Sequence, residues 1–219
     1  MTICGRRQET VDAAVAELAK EHAGKVEGRV ADVKNHEEVG ALFQFVDTRF
    51  GGIDVLVNNA GVGVFRPVSE ITLEEWRTVL DTNLTGAFYC SREALFRFVT
   101  RGGGHIVNIV SLAGAHAFAG GSAYNASKFG LTGFSEAMMQ DVRSENVRVS
   151  YVMPGSVATE FGHPPTAGSQ SQGAAEGSDW KIWPEDVAEV VRMLLLMPAR
   201  TLISRVEIRP TKAKIGSKR

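Results

Sequence analysis

An α/β fold, a doubly wound parallel sheet with helices on both faces, is predicted by three features of the 219-residue sequence. Short β-type runs alternate with helix-period stretches along the chain. The runs Ile53–Val57 (IDVLV) and His105–Val110 (HIVNIV) are continuously apolar rather than alternating, as suits strands covered on both faces. No repeat, linker or composition shift divides the sequence, so a single domain (1–219) with a sizeable core is expected. This is the Rossmann-type architecture.

Strands are predicted at Lys25–Val30, Ile53–Val57, His105–Val110, Val147–Val152 and Arg205–Ile208. Helices fall between them, at Glu9–His22, His36–Phe50, Leu73–Phe98, Ala123–Ser144 and Pro184–Met197. Two helix starts are marked locally. Thr72 precedes LEEW, with acids in the first turn, and Pro184 opens PEDVAEVV, where acids again face the positive end of the helix dipole. Segment 156–183 breaks the order: it is rich in Gly, Ser, Gln and Pro and has no periodicity. It reads either as a disordered surface loop or as a flexible lid that closes over a substrate.

Composition is ordinary, 44% hydrophobic and 22% charged with a net charge of −1, which gives no electrostatic reason to expect nucleic acid or a membrane surface as partner. MLLLM at Met193–Met197 is far too short to span a bilayer. The five histidines and two cysteines show no metal-ligand spacing, and Cys4 and Cys90 read as free thiols in a reducing cytoplasm.

The chemistry is concentrated in Ile106–Lys128. An apolar strand ends on Ser111, Tyr124 opens a helix-forming segment, and Lys128 follows one turn later. Residues four apart share a helix face. An ammonium beside a phenol favours the phenolate and lowers a pKa that is normally near 10, giving an acid/base for a carbinol oxygen. Taken singly, Tyr-x-x-x-Lys also reads as a surface pair, and Ser111 as a strand-end serine bonded to its own backbone.

With Asn-Asn-Ala-Gly at 58–61, Asn83 in TNLTG, Ser111, Tyr124-x-x-x-Lys128 and Pro154-Gly155, the sequence resembles the short-chain dehydrogenase/reductase family. The likeness is greatest to its 3-oxoacyl-carrier-protein-reductase-like members and covers essentially the whole chain. It implies an NAD(P)-dependent oxidoreductase acting on a small carbonyl or alcohol, commonly as a homodimer or homotetramer. Tyr124 would be the proton donor, Lys128 would lower its pKa and hold the nicotinamide ribose, and Ser111 would polarise the carbonyl. Asn83 would hold a water that links Lys128 to solvent. Asn59, Ala60 and Gly61 would let backbone approach the cofactor. Asp32 and Val33 would contact adenine. Pro154, Gly155, Val157 and Thr159 would line the nicotinamide amide.

Cofactor choice is argued from Thr2–Arg7, read as the end of the family's second strand. Gly5 stands where NAD-preferring relatives carry an acid, and Arg6 and Arg7 follow, so NADP is favoured over NAD. The two arginines also read as a solvated pair before a helix. One family feature is missing from the sequence: the opening strand, the glycine turn that cradles pyrophosphate and the first helix. Gly61-Val62-Gly63 and Gly102-Gly103-Gly104 lack that spacing. The resemblance therefore implies a domain incomplete at its N-terminus, with open inner strand edges and weak cofactor binding by the chain as given. Two other readings stay open: a catalytically silent scaffold pairing through its helices, and an epimerase or dehydratase on the same fold.

Overall fold

The computed structural model describes residues 1–159, 161 and 180–212. Six strands alternate with six helices: β1 (Thr2–Gly5), α1 (Gln8–Ala19), β2 (Glu27–Val30), α2 (His36–Phe50), β3 (Val55–Asn58), α3 (Leu73–Leu80), α4 (Gly86–Arg101), β4 (Gly104–Ile109), α5 (Ser122–Asp141), β5 (Val147–Pro154), α6 (Pro184–Leu196) and β6 (Arg205–Ile208). All strand pairs are parallel. They form a two-stranded sheet β1-β2 and a four-stranded sheet in the order β3-β4-β5-β6. The two strands for which the resemblance implies open inner edges, β1 and β3, are each paired on one side only among the described residues.

The helix starts follow local chemistry. Thr72 accepts from the Glu75 N–H at 3.1 Å while the Glu75 carboxylate accepts from the Thr72 N–H at 2.9 Å, a reciprocal cap that fixes the start of α3. Asn35 caps α2, its Oδ1 accepting from the Glu37 and Glu38 N–H groups. Gly51 (φ 74°) and Gly102 (φ 83°) end α2 and α4 in the left-handed region. The predicted helix Leu73–Phe98 differs in one respect. A π-turn at Asp81–Thr85 separates α3 from α4.

Helices α2, α4 and α5 cover one face of the sheets. Their Val39, Phe43, Ala94, Phe98 and Met138 pack on Ile106 and Val149. On the other face α6 brings Leu194 onto Val107 and Val152. Helix α1 lies close on β1-β2, and a Cβ at Gly28 would fall 2.5 Å from Val11 Cγ1. Val55 and Val57 of β3 are exposed. Among the described residues no helix is long and apolar enough to cross a membrane.

Two polar clusters fix the layers. Asn58 Nδ2 donates to Asn108 Oδ1 at 2.8 Å and to Ser91 Oγ at 3.0 Å, and Asn108 Nδ2 donates to Ser135 Oγ at 2.8 Å. This buried ladder ties β3 and β4 to α4 and α5. Each of its bonds contributes about 1 kcal/mol, and each unpaired amide would cost more. Arg97 on α4 bonds Asp47 of α2 at 2.8 Å and Glu93 at 2.8 Å, with its guanidinium over the Phe43 ring.

His105, 2% exposed, meets Ser150 Oγ at 2.9 Å. Burial, helped by Arg148, pushes its pKa down from 6.5 to about 4. The unfolded chain then binds this proton more tightly than the native one. Stability contributed by neutral His105 is therefore full above about pH 6.5 and lost as pH falls toward 4. A His105→Gln variant is expected to lose less stability between pH 7 and 5, by roughly 1–2 kcal/mol, in denaturant titrations at the two pH values. Equal losses would exclude this origin.

Candidate active site

Strand β4 ends at Ile109, and a short 3₁₀ turn, Leu112–Gly114, begins two residues after Val110. Ser111 stands at that junction in extended backbone, its hydroxyl accepting from the Ala113 N–H at 3.1 Å. Helix α5 then brings Tyr124 and Lys128 down beside the strand end. Both are buried, at 8% and 4% exposure, because α5 packs along β5. Lys128 Nζ donates to the Ile109 carbonyl at 2.9 Å and lies 5.8 Å from the Tyr124 ring centre. One strand end and one helix face thus assemble the serine, tyrosine and lysine predicted from their spacing.

Burial sets the protonation states. It pushes Lys128 down from 10.5 to about 8. It also raises Tyr124 above its ordinary 10, with the Ser111 hydroxyl offsetting part of the rise. The expectation that Lys128 lowers the Tyr124 pKa is corrected here: the ammonium is turned to the Ile109 carbonyl, and desolvation of the phenol is the larger effect. Tyr124 is accordingly a neutral phenol at pH 7, the form that can give a proton.

Asn83 lies in the π-turn and is 1% exposed. Its Oδ1 accepts from the Val62 N–H at 2.8 Å, and its Nδ2 donates to the Val62 carbonyl at 2.9 Å and to Ser127 Oγ at 3.0 Å. The side chain therefore staples the loop after β3 to α5 and is fully engaged in doing so. It holds Gly61 close to Lys128: a Cβ there would sit 3.8 Å from Nζ.

A cavity of about 240 Å³ opens at the carboxyl ends of β1, β2 and β3, with Arg6, Asp32, Val33, Ala60 and Gly61 in its walls. Val33 is held by close contact with α4, where a Cβ at Gly86 would fall 2.8 Å from Val33 Cγ2. The Asp32 carboxylate accepts from the Lys34 N–H at 3.0 Å and pairs with its ammonium at 3.6 Å. Asn59 is exposed at the end of β3. Pro154, Gly155, Val157 and Thr159 stand apart from this cavity, at the end of β5. The Gly155 N–H donates to the Ile208 carbonyl at 2.8 Å, Val157 bridges Ile182, and Thr159 Oγ1 accepts from the Phe161 N–H at 3.3 Å. The predicted lid, 156–183, lies mostly outside the described residues, at 160 and 162–179.

The sequence reading passed over Asn58, Ser127 and three phenylalanines. Phe65, Phe118 and Phe161 gather around Tyr124, with ring centres 5.5–6.5 Å apart along the cluster. All three lie in loops, where no periodicity flags them. Their one signal was position: one follows Asn-Asn-Ala-Gly, one lies between Ser111 and Tyr124, and one follows Pro154-Gly155.

Residues 1–169 match the family described as short chain dehydrogenase. The chain belongs to that family. This short chain dehydrogenase is 34% identical over 209 residues to an NADP-dependent 3-hydroxy acid dehydrogenase of Salmonella typhi, covering 94% of the chain and 83% of the relative. It is 38% identical over 186 residues to a sepiapterin reductase of Chlorobaculum tepidum, covering 84% and 72%. Among solved structures, the closed form of a serine dehydrogenase complexed with NADP⁺ superposes with a TM-score of 0.84 at 32% identity, covering 99% and 88%. A metagenomic short-chain oxidoreductase in complex with NADP gives 0.80 at 31% identity, covering 97% and 86%.

The lowered Lys128 pKa is also a statement about folding. The unfolded chain holds this proton up to pH 10.5 and the native one only to about 8, so the buried charge costs stability at pH 7, and the cost is relieved as pH rises from 8 to 10.5. Allowing for the lost bond to Ile109, Lys128→Met is expected to be more stable at pH 7 by roughly 1–2 kcal/mol. The gap should narrow by pH 10 in denaturant titrations. A variant less stable at both pH values would contradict the assignment.

Proposed function

We propose that this protein is an NADP(H)-dependent carbonyl reductase, working in reverse as an alcohol dehydrogenase. The observation that carries the reading is the meeting of half-buried Ser111, at the end of β4, with buried Tyr124 and Lys128 of α5. When bound, NADPH supplies a hydride from its nicotinamide to the carbonyl carbon. Ser111 holds the carbonyl oxygen, and Tyr124 passes its phenolic proton to that oxygen as charge develops there. Lys128 stabilises the resulting phenolate, returns a proton to it and meets the ribose hydroxyls. With the Asn83 side chain committed to Val62 and Ser127, its role is to position Gly61 and α5.

The cavity suits the cofactor's adenosine end. Gly5 leaves no carboxylate to repel a 2′-phosphate, Arg6 lines the wall, and α1 begins at Gln8 with no side-chain cap on its first N–H groups. Asp32 and Val33 would contact adenine, and Asn59, Ala60 and Gly61 would offer backbone to the dinucleotide. Pro154, Gly155, Val157 and Thr159, at the end of β5, would hold the nicotinamide amide. The relatives named for NADP support that cofactor, and the motif likeness to 3-oxoacyl-carrier-protein-reductase-like members supports a carbonyl or alcohol substrate. Phe88, Phe96 and Phe129, half-exposed on α4 and α5, support assembly as a homodimer or homotetramer through those helices.

Tyr124→Phe removes one oxygen and is expected to lower turnover by several orders of magnitude while NADPH affinity changes less than about threefold. Comparable turnover would exclude the role, and absence of NADPH binding by the parent would favour a scaffold. Arg6→Ala should raise the KM for NADPH about ten- to hundred-fold, the worth of a charge-assisted contact, and leave that for NADH within about twofold. Equal losses with both cofactors would make Arg6 a structural residue.

A further inference from the structure

Three half-exposed phenylalanines stand over the Tyr124 ring. Phe65 meets it edge-on at 5.5 Å and 80°, Phe161 is tilted against it at 5.5 Å and 55°, and Phe118 is tilted against Phe65 at 5.8 Å and 50°. Each is 41–48% exposed, so these rings are not core residues with one edge showing. Phe65 and Phe161 flank the Tyr124 ring and Phe118 adjoins Phe65, so the three form one aromatic wall beside it.

Two independent features show that the wall is built rather than incidental. A Cβ at Gly63 would fall 2.7 Å from Phe161 Cε1 and 2.8 Å from Phe65 Cζ, and one at Gly121 would fall 2.6 Å from Phe118 Cε2. The backbone therefore leaves space for these rings. The loops that carry them are also fastened together: the Arg66 N–H donates to the Gly120 carbonyl at 2.8 Å, and the Phe118 N–H donates to Asn125 Oδ1 of α5 at 3.3 Å.

Charge at the site decides what the wall can receive. The guanidinium groups linked to it are both taken. Arg66 pairs with Glu75 at 3.0 Å, and Arg209, which touches His116, pairs with Glu207 at 2.9 Å. A substrate carboxylate would meet guanidinium groups whose charge is already offset by a carboxylate. A flat apolar substituent gains edge and face contacts with the phenylalanine rings and displaces only water.

We propose that the substrate is an uncharged ketone, or the matching secondary alcohol, with an aromatic ring directly beside the reacting carbon, and that Phe65, Phe118 and Phe161 form the subsite for that ring. The proposal rests on the reductase reading above for its chemistry: the carbonyl carbon gains a hydride, its oxygen gains the Tyr124 proton, and an aryl ketone becomes an aryl carbinol.

The test compares acetophenone, cyclohexyl methyl ketone and acetoacetate, in NADPH oxidation and in ligand-detected NMR of binding without cofactor. The cyclohexyl compound has the same bulk without the ring, and acetoacetate carries a carboxylate. Acetophenone is expected to show a kcat/KM about tenfold above the cyclohexyl ketone, the scale of a well-placed aromatic pair, and acetoacetate is expected to be the poorest. Phe118→Leu keeps apolar volume and touches neither Tyr124 nor Ser111. It should lower kcat/KM and NMR-detected affinity for acetophenone about tenfold and those for the cyclohexyl ketone less, so that the preference between the two falls. Equal use of the two uncharged ketones, or preference for acetoacetate, would overturn the aromatic subsite and leave the reductase reading standing. Binding of acetophenone that depends on Phe118, with no NADPH oxidation for any of the three, would support the subsite and overturn the reductase reading.

Discussion

The Lys128 ammonium is buried against the Ile109 carbonyl, and the arrangement of the site depends on that contact. It joins the end of β4 to the second turn of α5, which sets Tyr124 over Ser111. A charge in that position is unfavourable for folding unless neighbours hold it. The Asn83 staple between Val62 and Ser127 supplies the support, by closing the loop after β3 over the same turn of helix. Ser111, Tyr124 and Lys128 are thus held in place by contacts that begin well outside their own segment.

The fold and the reacting groups were legible because both are written locally. Tyr124 and Lys128 meet through the helical period, and Ser111 follows from a strand that ends where its apolar run ends. Parallel pairing followed from uninterrupted apolar strands. What escaped the sequence was whatever depends on contacts far apart in the chain. The π-turn at Asp81–Thr85 interrupts a stretch whose apolar period reads as one helix, and Asn83 within it bonds Val62, 21 positions away. The Asn58–Asn108–Ser135 ladder spans three elements that no local pattern connects.

Electrostatics diverged from the sequence reading for the same reason. Spacing shows that an ammonium and a phenol share a helix face, but it carries no measure of how dry that face is. In the folded protein both groups are desolvated, so each moves toward its neutral form. The aromatic wall was equally hidden, because Phe65, Phe118 and Phe161 belong to three separate loops that only the tertiary fold brings over Tyr124.

The absence of a backbone hydrogen bond between the two sheets among the described residues makes the molecule mechanically uneven. Arg6 rides on β1, while Lys128 rides on the body built around β4 and β5. The firmest described seam between those parts is α2 against α4, where Arg97 grips Asp47 and Glu93 over the Phe43 ring. That ion cluster clamps α2 to α4 and is the described joint that holds the two sheets in register with each other.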